Sequence, residues 1–159
     1  MKRVLITNFF FAKYTGSELH VLEMARLFEK RGYEVTIAVY QKAYPLLEKA
    51  GTIKIVDVLK EELEHVDYDI LFVQHYPVLD YLCCKYDLSY KKLIVSKLSV
   101  ISELENLPVC TPEANLILCV SDECAKEVYK MIGENQKVRV FKNSVGEEFF
   151  EAWGKVDYT

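Results

Sequence analysis

Tyr14-Thr15-Gly16-Ser17-Glu18 sets hydroxyls, a glycine and a carboxylate at the head of a helical pattern, a composition suited to holding an anion. Thr15 and Glu18 have the spacing of a capping box, in which the hydroxyl serves a first-turn N–H and the carboxylate reaches back to the cap. Gly16 between them lets the backbone come close to a ligand. The N–H groups of Gly16, Ser17 and Glu18, aided by the helix dipole, make a candidate diphosphate cradle. An ordinary capped helix is the other reading these residues leave open.

A second polar group, Gln74-His75-Tyr76-Pro77, follows an apolar run. His75 has the chemistry to bond a sugar hydroxyl or shuttle a proton. A histidine packed beside a turn set by Pro77 accounts for it equally. His20 is expected on the polar side of the first helix and His65 within KEELEH, both at the surface; Glu61, Glu62 and Glu64 read as a wet helix face. Ser121 follows a strand and is placed to cap the next helix. Lys142-Asn143-Ser144-Val145-Gly146 has the composition of a turn. No Ser/His/Asp or Cys/His spacing supports a covalent nucleophile, and no cluster has metal-ligand spacing.

These groups need elements to hold them. Apolar positions Leu19, Leu22, Ala25 and Phe28, widened by Val21, Met24 and Leu27, give the first helix a face to bury, and Gly32 ends it after Lys30 and Arg31. Strands are expected at Val4–Thr7, Val35–Val39, Ile53–Val56, Ile70–Val73, Leu93–Val95, Leu116–Val120 and Val138–Phe141. Helices are expected at Pro45–Ala50, near Val78–Tyr86 and at Asp122–Ile132. The strands are continuous apolar runs, as when a parallel sheet is covered on both faces. The fold class is therefore α/β: a Rossmann-like, doubly wound, mostly parallel sheet with helices on both faces, whose ligand crevice lies at the carboxyl ends of the strands. Residues 1–151 form the domain and 152–159 a linker or tail. Lys97–Pro112, the least regular stretch, is the candidate site loop.

The chain of 159 residues is one domain's worth, with twenty basic and twenty-four acidic side chains and a net charge of −4. With no basic block longer than Lys91-Lys92, nothing recommends nucleic acid as a partner. Five cysteines without a CxxC signal neither a disulfide framework nor zinc, which fits a cytoplasmic location. Lys2-Arg3 and VLITNFFFA imitate a signal peptide, but Asn8 and Lys13 break the run.

Taken in order, TGSELHVLEMARLFEKRGYEVTI, YDILFVQHYP, LILCVSDECAKEVYKMIG and KVRVFKNSVGEEFF resemble the N-terminal half of a family 4 glycosyltransferase of the GT-B fold. The family's Gly-Gly-x-Glu turn is like Thr15-Gly16-Ser17-Glu18 with a single glycine, its strand-serine-helix segment is like Val120-Ser121-Asp122, and its Pro-Asn-Gly-Val turn is like Lys142-Asn143-Ser144-Val145. Many members carry a histidine after the fifth strand, where this chain reads Ser96-Lys97-Leu98.

The resemblance implies a retaining transfer from a nucleotide-sugar donor to a glycan or lipid-linked acceptor, without a bound metal or other cofactor. Gly16, Ser17 and Glu18 are then expected at the donor diphosphate, His75 as the catalytic group, and Tyr14, Gln74, Lys97, Ser121 and Asn143 at the acceptor. Phe9, Phe10, Phe11 and Tyr14 are to stack on a sugar or contact a lipid-linked acceptor, or simply to pack the loop down. A C-terminal domain, in the same or a second chain, is expected as the partner that grips the nucleotide, so this half alone is not expected to catalyse; peripheral membrane contact is a further expectation. The alternatives are half of a GT-B sugar-nucleotide epimerase, a non-catalytic subunit of a split glycosyltransferase, and a flavodoxin-like FMN carrier. A dinucleotide GxGxxG and a P-loop GK[ST] are both missing from the first turn.

Overall fold

A computed structural model of the chain describes residues 1–141. The strands are β1 (Lys2–Thr7), β2 (Phe10–Phe11), β3 (Tyr33–Val39), β4 (Gln41–Lys42), β5 (Lys54–Asp57), β6 (Asp67–Val73), β7 (Ser89–Lys97), β8 (Leu116–Cys119) and β9 (Val138–Val140), and the α-helices are α1 (Gly16–Lys30), α2 (Tyr76–Lys85) and α3 (Asp122–Ile132). Seven strands form one sheet in the order β5-β3-β1-β6-β7-β8-β9, and every pairing in it is parallel. The chain runs outward from β1 to β3 and β5, then returns to lay β6 against the other side of β1 and continues through β9. This reversal makes the β1/β6 boundary the topological switch point, where open α/β sheets bind ligands.

Alternation along each strand divides the core. Val4 and Ile6 of β1 pack with Val21, Leu22 and Ala25 of α1 on one face, whereas Leu5 joins Val78, Leu79 and Leu82 of α2 and Ala125 and Val128 of α3 on the other. Strands enclosed on both faces have no wet side to encode, which is why the apolar runs are unbroken. The doubly wound expectation holds, with the sheet parallel throughout among the described residues.

Several local expectations are corrected. The acidic stretch is exposed, but Glu61, Glu62 and Glu64 lie in turn and coil; each is held by a lysine from another segment, Lys42, Lys85 and Lys54 respectively. The expected helix at Pro45–Ala50 is a single 3₁₀ turn, Leu46–Lys49. The loop after β1 is pinned by a two-residue pairing of β2 with β4, which drives Phe11 into the core and leaves Phe10 at the surface.

The buried face of α1 is also rotated from the expected stripe. Leu19 and Leu27 are exposed, while Glu18 and His20 are buried with Val21, Leu22 and Ala25. The polar partners described below draw both side chains inward, and that outweighs the apolar pattern.

Candidate functional site

A cavity of about 380 Å³ opens at the switch point, lined by Phe10, the first turn of α1 (Thr15 to Glu18), His75 at the end of β6, and Leu98, Ser99, Ser102, Leu104 and Glu105 from the segment after β7. Its size falls in the lower part of the range for small-molecule sites, about 300–1,000 Å³. Three strands thus deliver their carboxyl-terminal residues to one place, and the irregular segment after β7 supplies the outer wall.

The leading end of α1 is open. Leu19 is the first residue whose N–H enters the helical ladder, donating to Thr15 O at 2.9 Å. Among the described residues no protein acceptor takes the N–H groups of Gly16, Ser17 or Glu18, as expected of a helix start without a side-chain cap. The predicted capping box does not form. Instead the Thr15 hydroxyl donates to Glu18 Oε1 at 2.8 Å, while Glu18 Oε2 accepts the backbone N–H groups of Ala12 and Lys13. Glu18 folds the β2–α1 loop onto the helix start, and three bonds to its carboxylate stabilise the charge in a nearly buried position. A Cβ built at Gly16 meets nothing within 4 Å, so the protein's own packing does not demand glycine there.

A second buried carboxylate, Glu105, organises the opposite wall. Its Oε1 accepts from Gln74 Nε2 at 3.0 Å and His75 Nε2 at 3.2 Å, and its Oε2 accepts the Leu98 N–H at 2.9 Å. The Lys97 ammonium, itself buried at the end of β7, donates to the Glu105 backbone carbonyl at 2.7 Å. His75 Nδ1 accepts the Phe9 N–H at 2.9 Å, which places the ring proton on Nε2, directed at Glu105. Both ring nitrogens of His75 are therefore engaged by the protein. The chain Phe9–His75–Glu105–Leu98 ties the ends of β1, β6 and β7 together. Two side-chain oxygens at the β1 and β6 ends, Asn8 Oδ1 and Gln74 Oε1, are buried without a partner among the described residues.

His20, expected in solvent, lies 7% exposed beneath this network, its Nε2 3.3 Å from Ser96 Oγ and its ring stacked on Phe141. Burial lowers its pKa from 6.5 to about 4, against a smaller opposing pull from the Glu105 charge. At neutral pH it is uncharged. No lysine or arginine is among the described lining residues, so the cavity offers amides, hydroxyls and two carboxylates but no side-chain cation.

Of the residues singled out in the sequence, Gly16, Ser17, Glu18 and His75 share the cavity lining. Gln74 and Lys97 sit behind it, joined to it through Glu105. Tyr14 is exposed beside the α1 start and does not line the cavity. Ser121 lies at the end of β8, where its hydroxyl accepts the Cys124 N–H at 3.2 Å and caps α3. Asn143 falls outside the described residues. The sequence marks Lys97–Pro112 as the candidate site loop, and that segment does line the cavity, but it does not single out Glu105: its partners at Gln74 and His75 are about 30 positions away, and no periodicity marks an acid within an irregular segment. The described residues hold no helix long and apolar enough to cross a membrane. No protein-family model matches the chain, and no match was found among curated proteins.

Proposed function

We propose that the chain is the N-terminal, acceptor-side half of a retaining GT-B glycosyltransferase, which moves a sugar from a nucleotide-sugar donor to a glycan or lipid-linked acceptor in polysaccharide biosynthesis. The observation that carries this reading is the open first turn of α1 facing a cavity at the β1/β6 switch point. Helix-start amides with no protein acceptor favour an anion, and a glycine that packing does not require keeps close approach free.

In this reading the Gly16 and Ser17 amides face the leaving diphosphate, where fixed dipoles aimed at developing charge contribute most. Ser99 and Ser102 face hydroxyl groups, and Phe10 in the lining offers its ring for a sugar to stack on. Because the cavity wall lacks a cation, the remaining diphosphate charge is met by a second domain, in the same or another chain. The location that goes with this chemistry is cytoplasmic, at the membrane surface when the acceptor is lipid-linked.

The test is Gly16→Val, whose Cβ meets no neighbour within 4 Å, with the fold checked by unchanged amide resonances in the central strands. On adding uridine or guanosine diphosphate, the Gly16 and Ser17 amide resonances of the unaltered protein are expected to shift, and the variant's amides to stay still. With the second domain present, transfer by the variant should fall at least about tenfold, the cost of losing about a third to a half of a typical oxyanion interaction. Equal turnover by both proteins refutes the diphosphate role.

A further inference from the structure

We infer that Glu105 is the positioning residue of this cavity, holding the 98–105 segment against the strand ends so that the wall exists before a ligand arrives. The inference rests on the functional reading above for what the cavity binds, but not for how the wall is held. The segment contributes Leu98, Ser99, Ser102, Leu104 and Glu105 to the lining, close to half of the residues that define the cavity.

Its polar attachment converges on one residue. Glu105 Oε1 receives Gln74 Nε2 and His75 Nε2 from the end of β6, and Oε2 receives the N–H of Leu98, at the segment's own start. From β7, Lys97 Nζ reaches the same residue's carbonyl. The neighbouring Ser99 hydroxyl oxygen accepts only the local Ile101 and Ser102 N–H groups, which shape the segment without anchoring it. The ionisable groups around the Glu105 carboxylate are His75 from the β6 end and, at longer range, His20 from α1; Lys97 meets its carbonyl.

Donor arithmetic makes the carboxylate irreplaceable by its amide. Two donors converge on Oε1 and one on Oε2, so a glutamine in either orientation turns its own NH₂ toward at least one of them. His75 acts through the same link: its Nδ1 fixes the Phe9 N–H, its Nε2 proton meets Glu105, and so it too positions the wall.

The experiment compares Glu105→Gln with the unaltered chain by amide hydrogen exchange and by uridine diphosphate titration. Exchange at Leu98 is expected to quicken about 10- to 100-fold, the loss of a charge-assisted bond, while Ile6 and Phe72 in the central strands keep their protection. Diphosphate affinity should weaken about threefold to tenfold, and in the two-domain protein KM should rise with kcat within about twofold, a split that general destabilisation does not produce. Unchanged exchange at Leu98 overturns the anchoring role whatever the cavity binds. Quickened exchange with unchanged affinity overturns the link between wall and ligand and leaves the glycosyltransferase reading intact. If the unaltered chain shows no diphosphate binding, that reading fails and the exchange data alone decide the anchor. Should Glu105→Gln not fold, Gln74→Met removes one of the two donors on Oε1 and is read on the same scale with a smaller factor.

Discussion

Lowering the pH should strain this protein at one identifiable place, His20. The unfolded chain takes up this proton near 6.5, whereas the folded protein resists it until about 4, because the ring is buried against Phe72, Ser96 and Phe141. Between those values the unfolded state binds more protons, so stability rises with pH across the window and the full contribution of neutral His20 is present above 6.5. It is lost as pH falls toward 4. At about 1.4 kcal/mol for each tenfold change in proton affinity, a gap from 6.5 to about 4 corresponds to about 3 kcal/mol. That is a large part of the 5–15 kcal/mol typical of a domain.

The assay is urea unfolding at pH 7, 6, 5 and 4 for the unaltered protein and for His20→Phe. Carboxylate titrations are common to both and cancel in the difference. The unaltered protein should lose about 3 kcal/mol more than the variant between pH 7 and 4, most steeply between 6 and 4. Parallel curves would mean that His20 is not held neutral by burial, and the placement of α1 over Ser96 and Phe72 would be wrong.

Three other expectations follow from single positions. Ser121→Ala removes the N-terminal side-chain cap of α3 and should cost about 1 kcal/mol in urea unfolding while leaving uridine diphosphate binding unchanged, since this serine lies outside the cavity lining. Phe11→Ala empties a fully buried position under the β2–β4 pairing; a loss of about 3–5 kcal/mol is expected, and a loss below about 1 would contradict that placement. Gly32→Ala meets no steric neighbour but must adopt φ +82° at the end of α1, so its cost, about 1 kcal/mol, should appear as a lowered melting temperature.

The doubly wound architecture was legible because its causes are local. Unbroken apolar runs such as Val4–Thr7 and Ile70–Val73 report burial on both faces, Gly32 reports a left-handed helix end, and Ser121 sits where α3 needs an acceptor. Each signal involves residues within a turn or two of one another, and so does the glycine at the start of α1. Local pattern failed where a polar side chain took a partner that periodicity does not mark, whether near in the chain or far from it. The Thr15–Glu18 spacing promised a reciprocal cap, yet the Ala12 and Lys13 amides captured the carboxylate.

What the sequence by itself determined is the alternation of strands and helices, hence a parallel sheet whose crevice lies at the strand ends. Only the tertiary structure decided which side chains are free to act there. Bringing β1, β6 and β7 together places His75, Gln74, Lys97 and Glu105 within hydrogen-bond reach, and a buried polar group must be paired. Those pairings consume both ring nitrogens of His75, and the packing of α1 on the sheet buries His20 against Ser96 and Phe72, while the first amides of α1 stay open to the cavity. Hydrophobic pattern acts through neighbours in the chain; the chemistry of the crevice depends on neighbours in space.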